Sequence, residues 1–311
     1  VVQNADDTFV FNDTATTEID TVFSTVDWTL EDLAYVENLS LIGSGDIAGT
    51  GNALKNVLTG NNYANTLDGG AGADTLKGGR GNDTYLVDLI KSGAVAVLQD
   101  SLTENLNEGT DTVVLRTAGD LGLATATTLI LAGNLENLDA TDTGGNKLNL
   151  TGNTASNVLT GNAADNILDG GTGNDTLAGG AGNDTYLIDS LDDVITEAAD
   201  AGTDLARINI AAANGTYVLT DNVENGLLIN TVAFNLTGNA LGNQLSGNPA
   251  NNVLYAVARS DTLSGGDGND LLRGGAGNDT YVLDGIGDAV DEEGNADPGD
   301  LIRAGFAIDL T

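Results

Sequence analysis

Aspartate closes a recurring loop in this sequence, and the loop is built to present oxygen. Gly69-Gly70-Ala71-Gly72-Ala73-Asp74 and Gly78-Gly79-Arg80-Gly81-Asn82-Asp83 have counterparts starting at Gly170, Gly179, Gly265 and Gly274. Glycine tolerates positive φ and lets backbone carbonyls face the inside of a loop. Carbonyl oxygens plus one carboxylate per loop, drawn from two stacked loops, make an all-oxygen cage of about six ligands. Hard Ca²⁺ prefers that cage, whereas Mg²⁺ demands tighter octahedral geometry and keeps more of its waters. Tight turns made by Asp and Gly would explain one such loop; six of them in step with an apolar repeat need a further reason.

The elements that position these loops follow from a period of nine. From Gly51 onward the eighth residue of each block is Leu58, Leu67, Leu76 and Tyr85; from Gly152 it is Leu159, Leu168, Leu177 and Tyr186. From Gly238 it is Leu245, Leu254, Leu263, Leu272 and Tyr281. The sixth residue is always Asn or Asp, as in Asn56, Asn65, Asp74 and Asp83. One aliphatic side chain per nine residues cannot make a helix face, which needs one every three or four. The pattern fits a six-residue turn followed by a three-residue strand whose middle side chain points inward. Two blocks then make one coil of roughly 18 residues, stacked at the strand spacing of about 4.8 Å.

A longer period encloses the short one. Asp-Thr-aromatic strings stand at Asp7-Thr8-Phe9, Asp83-Thr84-Tyr85, Asp184-Thr185-Tyr186 and Asp279-Thr280-Tyr281, with Glu37-Asn38, Glu136-Asn137 and Glu224-Asn225 between them. The chain therefore divides into units 1–87, 88–188 and 189–283, with nonapeptides at 51–86, 152–187 and 238–282, and residues 284–311 begin a fourth. Segments such as Asp111–Leu115 and Thr127–Leu131 read as short strands between Gly and Asn turns. Residues 192–201 are ambiguous between helix and coil. Tyr85, Tyr186 and Tyr281 occupy inward positions and are expected to cap the core, and Trp28 is expected to bury itself.

Composition narrows the chemistry. The 311 residues carry 46 Asp and Glu against 10 Lys and Arg, a net charge of −36. Such a chain has no basic stripe for nucleic acid and no attraction to anionic membrane surfaces. It has no Cys and no His, which removes disulfides, thiolate metal sites and imidazole catalysis. No apolar run approaches the roughly 18 residues of a membrane span, and no basic-then-apolar segment opens the sequence. Glycine at 43 residues is about twice ordinary usage, yet Pro numbers only 2, so neither collagen nor a proline-rich linker fits. Glu37, Glu136 and Glu224 lie too far apart in sequence to suggest a glycosidase pair. A compact fold at this charge calls for structural cations.

The loops resemble GGxGxDxUx, the nonapeptide of the repeats-in-toxin (RTX) proteins, a calcium-binding parallel β-helix signature. The nonapeptide blocks that carry the resemblance span 51–86, 152–187 and 238–282. It implies an all-β fold, a right-handed parallel β-roll or β-helix solenoid of three tandem RTX units. It also implies calcium as the cofactor and Asp74, Asp83, Asp175, Asp184, Asp261, Asp270 and Asp279 as ligands. Members of that family are typically bacterial and leave the cell unfolded by type I secretion before folding in extracellular calcium. The expected function is thus a calcium-binding extracellular structural repeat protein, part of an adhesin shaft, surface layer or filament, without enzymatic activity. The alternative is the secretion and folding module of a secreted enzyme or toxin whose catalytic domain lies outside this chain.

Departures from the pattern set further expectations. Loops at Gly51, Gly60, Gly152, Gly161, Gly238 and Gly247 carry Asn where Asp would stand, and should be held by stacked amides without metal. Ala256-Val257-Ala258-Arg259-Ser260-Asp261 keeps the acid but has no glycine. One 18-residue coil beyond Asp175 and Asp270 stand Asp193 and Asp288, which join the expected ligands, whereas the same step from Asp74 reaches the uncharged Ser92. The first unit is therefore expected to bind fewest ions and the third most. Asp88, Asp189 and Asp284 are either ligands or solvated turn residues. Both ends of the sequence cut a unit open, which predicts either a longer parent protein or head-to-tail stacking of copies in calcium.

Overall fold

The computed structural model describes residues 18–292 and 298–306. The Asp7-Thr8-Phe9 string lies outside them. Two compact bodies divide the chain, Val1–Asn162 and Ala163–Thr311. Each is a parallel β-solenoid, and the described residues include no α-helix, only a 3₁₀ turn at Thr141–Thr143.

In the N-terminal body, strands Thr21–Ser24, Asn38–Leu41, Val57–Thr59, Thr75–Lys77 and Ser101–Thr103 pair in parallel along one face. Trp28–Thr29, Ile47–Thr50, Asn65–Asp68, Thr84–Ser92, Thr112–Arg116, Asn137–Asp139 and Val158–Thr160 do the same along another. In the C-terminal body one face runs through Ile167–Asp169, Thr185–Ile188, Leu205–Ile208, Asn225–Leu228, Gln244–Ser246, Thr262–Ser264, Thr280–Leu283 and Leu301–Ala304. The other runs through Thr216–Val218, Asn235–Thr237, Val253–Tyr255, Leu271–Arg273 and Ala289–Val290.

Register and burial obey the nonapeptide. Leu58 lies opposite Leu76, Leu67 opposite Tyr85, Leu245 opposite Leu263, and Leu263 opposite Tyr281. All of these side chains are fully buried. A three-residue strand can bury only its middle side chain, so the core is a column of leucines one residue thick. Each contributes about 1.5–3 kcal/mol by leaving water. The tyrosines end the runs of nonapeptide leucines but do not cap the core as expected: the inward columns go on past them, with Tyr85 opposite the buried Val113 and Tyr186 opposite the buried Ala206. Trp28 is only half-buried on its two-residue strand, contrary to expectation.

The coil is not uniform. Strand Thr84–Ser92 runs past its nonapeptide and turns back on Val95–Leu98 as an antiparallel hairpin, with Leu89 opposite Leu98 and Ser92 opposite Val95. The chain rejoins the stack at Ser101–Thr103, which pairs with Thr75–Lys77. Ser92 is therefore not one coil beyond Asp74; Asp100 is. The expectation that the first unit lacks a charged partner for Asp74 is overturned, because the hairpin lengthens that coil. Residues 192–201 hold only the two-residue strand Val194–Ile195.

Candidate metal centres

The sixth residue of each loop forms a ladder that stitches one coil to the next. In the N-terminal body the amide of Asn56 donates to Asp74 Oδ1 at 2.6 Å, and the amide of Asp74 donates to Asp100 Oδ1 at 3.0 Å. On the other edge Asn65 donates to Asp83, Asp83 to Asp111, and Asp111 to Glu136 Oε2, at 2.7, 2.8 and 2.7 Å. In the C-terminal body Asn166, Asp184 and Asp204 donate in turn to Asp184, Asp204 and Glu224. Asn243, Asp261 and Asp279 donate likewise to Asp261, Asp279 and Asp300. Asp175 reaches Asp193, Asn252 reaches Asp270, and Asp270 reaches Asp288. The Glu of each Glu-Asn pair takes its place in this ladder, which explains why it recurs: Glu37 accepts from Asp20 at 2.9 Å in the same way.

The second side-chain atom separates the two kinds of loop. In the Asn loops, Asn56 Oδ1 accepts the amide of Asn52 at 2.7 Å, while its Nδ2 donates to the carbonyls of Val36 and Glu37. Asn65, Asn157, Asn243 and Asn252 accept the corresponding loop amide from Asn61, Asn153, Asn239 and Asn248. The second loop residue helps as well: Asn52 Oδ1 accepts from Leu54 N, and its Nδ2 donates to the carbonyls of Leu33 and Val36. These turns satisfy their own polar groups.

The Asp loops do not. Oδ2 of Asp74, Asp83, Asp184, Asp261 and Asp270 is buried and has no hydrogen-bond partner, in residues at most 2 % exposed. The first glycine of the loop makes room for that oxygen, since a Cβ on Gly69, Gly78, Gly179 or Gly265 would overlap it. The glycines at the second and fourth loop positions take positive φ, 76° at Gly70 and 143° at Gly72, turning the loop backbone where an ordinary residue would be strained. A buried anionic oxygen without a donor costs several kcal/mol unless a cation meets it. Burial first, and neighbouring carboxylates after it, push Asp74 and Asp261 up to about 7 and Asp83, Asp184 and Asp270 up to about 6. Hard oxygen donors, negative charge and an absent amide donor all fit Ca²⁺.

A family model for four copies of the RTX calcium-binding nonapeptide repeat matches residues 50–85, 151–186 and 246–281. These stretches are RTX calcium-binding repeats. No curated protein matches the chain. Calcium is thus the ligand of the repeats, and the divalent charge offsets the buried carboxylates that the Asp loops leave without donors.

The RTX aspartates of the resemblance all occupy the sixth loop position, and Asp193 and Asp288 stand one coil beyond Asp175 and Asp270 as the spacing predicts. Their second oxygens differ, however. Asp193 Oδ2 accepts the amides of Asp189 and Ser190, and Asp288 Oδ2 accepts those of Asp284 and Gly285. These two acids close their columns with backbone donors, as the Asn loops do. Asp189 and Asp284 contribute those amides, and Asp88 instead meets Arg116, whose guanidinium also grips both oxygens of Asp68.

On the opposite edge the structure gathers acids that repeat counting missed. Among the described residues, three clusters, Asp83–Glu104–Asp111, Asp184–Glu197–Asp204 and Asp279–Glu292–Asp300, each place three ligand oxygens within 4.8 Å of one another. Burial, followed by repulsion from the neighbouring aspartates, pushes Glu104 up to about 8 and Glu197 up to about 7. Burial raises Asp111 and Asp204 too. They escaped because coils beyond the RTX block are not 18 residues long: Asp83 to Asp111 spans 28 and Asp184 to Asp204 spans 20. A weak signal was present, since Asp111-Thr112-Val113 repeats the Asp-Thr-apolar string outside the block.

Proposed function

We propose that this chain is a calcium-rigidified structural segment of an extracellular bacterial protein, such as an adhesin shaft, surface layer or filament, rather than an enzyme. The observation that carries this reading is the set of buried aspartate oxygens without donors, stacked through the turns of the coil. Those oxygens sit in the turns that join the strands of the scaffold, so the ion that meets them acts on stiffness and folding. RTX proteins are typically secreted, and a chain whose carboxylates repel without calcium stays unfolded where calcium is scarce and folds where it is plentiful. A net charge of −36 keeps the metal-free chain expanded. Head-to-tail stacking of copies in calcium fits the same role.

Far-ultraviolet circular dichroism in EGTA and then in millimolar calcium tests the coupling. The expected result is a disordered spectrum that becomes β-rich on adding calcium. A β spectrum of equal strength in EGTA would refute it. Electron microscopy of the calcium-loaded chain tests assembly, where strictly monomeric particles at high concentration would remove the stacking reading.

A further inference from the structure

The two edges of each repeat block finish differently. On one edge Asp193 and Asp288 close the column with amide donors on Oδ2. On the other, the ladder runs on from Asp204 to Glu224, and a glutamate from the coil of Asp204 joins it and the last loop aspartate. Asp83 and Asp184 belong to such clusters, are each 1 % exposed, and have Oδ2 atoms without a hydrogen-bond partner. Oε2 of Glu104 and of Glu197 is buried without a partner as well.

The glutamate is held by the tyrosine that ends the block. Tyr85 Oη accepts the amide of Gly78 at 2.8 Å and donates to Glu104. Tyr186 Oη accepts from Gly179 at 2.9 Å and donates to Glu197. Tyr281 accepts from Gly274 at 3.0 Å and bonds Glu292. Glu197 also accepts from Gly179 N at 3.3 Å, and Glu104 from Gly79. The glutamate arrives 19 residues after the tyrosine in the first case and 11 in the second, yet meets the same phenol. A core-filling role would be served by Phe; the hydroxyl has a different task.

We propose that each cluster is a calcium site of a second kind, with an aspartate from the last loop and a glutamate and an aspartate from the coil beyond it. The tyrosine acts in it as a positioning residue. This deepens the RTX reading and rests on it. Three carboxylates around one ion exceed the charge of a site between two loops, and a higher ligand charge count binds Ca²⁺ more tightly. The clusters therefore fill at lower calcium than the loop sites and fasten the end of each block, where the regular stack stops.

The test uses the full chain, with Ca²⁺ titrated calorimetrically and Tb³⁺ as a luminescent stand-in excited through the adjacent tyrosine. Glu197→Gln should remove one ion from the tightest class and reduce tyrosine-sensitised Tb³⁺ emission by the share of one cluster. Tyr186→Phe preserves the buried ring and should weaken the same site by about 10–100-fold, the usual effect of losing a group that orients a ligand. Asp192→Asn, which removes an exposed charge nearby, should alter neither readout. A folded Glu197→Gln chain with full stoichiometry and full emission overturns the proposal. If that variant does not fold in calcium, Tyr186→Phe decides, and unchanged affinity there overturns it. A parental chain that takes up no calcium at all would instead refute the RTX reading beneath it.

Discussion

The loop Ala256–Asp261 gives the sharpest check on why the other Asp loops are rich in glycine. Val257 and Arg259 occupy its second and fourth positions and sit at φ 87° and 74°. The equivalent glycines of the next Asp loop, Gly266 and Gly268, sit at 83° and 136°. An L-residue in the left-handed region costs about 1–2 kcal/mol, and a β-branched one stands at the upper end. Glycine there relieves that strain but makes the unfolded chain freer, returning about 0.5–1 kcal/mol. Arg259 is exposed and Val257 half-buried, so little packing is lost. The pair Val257→Gly and Arg259→Gly should therefore stabilise the calcium-loaded chain by about 1–2 kcal/mol in total. Urea unfolding in saturating calcium, followed by circular dichroism and tyrosine fluorescence, reads it as a higher midpoint for the C-terminal body. Gly266→Ala is the reverse experiment: its Cβ would meet Asn248 O at 3.0 Å on a backbone of positive φ, and it should lower the midpoint. A double glycine variant less stable than the parent would show that the backbone at these positions is not strained, and the explanation of the glycine pattern would fail.

Three other outcomes follow from the same geometry. In calcium-free solution, acid should fold the chain. Asp74 and Asp261 titrate near 7 and Asp83, Asp184 and Asp270 near 6 when folded, against 3.8 ordinarily. The folded chain thus holds more protons between about pH 4 and 7, and its stability must fall as pH rises through that window. Circular dichroism in EGTA should show β structure at pH 4 that is lost by pH 7, and the opposite trend would contradict these carboxylate environments. Asn56→Asp should destabilise the chain by about 2–4 kcal/mol, because the acid cannot donate to the Val36 and Glu37 carbonyls and leaves charge against them. An unchanged thermal midpoint in calcium would argue against the amide role. Gly78→Ala puts a methyl group where Asp83 Oδ2 and the Tyr85 hydroxyl lie, and should cost one tight calcium ion by calorimetry.

Much of the coil was readable because its interactions are local or strictly periodic. Leu58 and Leu76 meet because two blocks of nine return the chain to the same face, and that holds wherever the sequence keeps the count. The same count placed Asp193 on Asp175 and Asp288 on Asp270. It failed at Ser92, where nothing in the spacing announces that Thr84–Ser92 will leave the stack to pair with Val95–Leu98. Antiparallel pairing of that hairpin takes the place of continuing the coil there, and it buries Leu89 and Ala96.

The sequence by itself determined the repeat, the inward leucines, the aspartate of each loop and the ion those aspartates need, since each depends only on residue type at fixed spacing. Which acids come together was decided by the tertiary structure. Glu104 reaches Asp83 after a hairpin and Glu197 reaches Asp184 after a short irregular coil, so no single spacing describes both. The difference between Asp193, whose second oxygen takes two amides, and Asp184, whose second oxygen takes none, is likewise invisible in residue type. Both are aspartates one coil beyond another loop. Burial and the direction of nearby amides give one oxygen its donors and leave the other without any, and those are properties of the folded backbone.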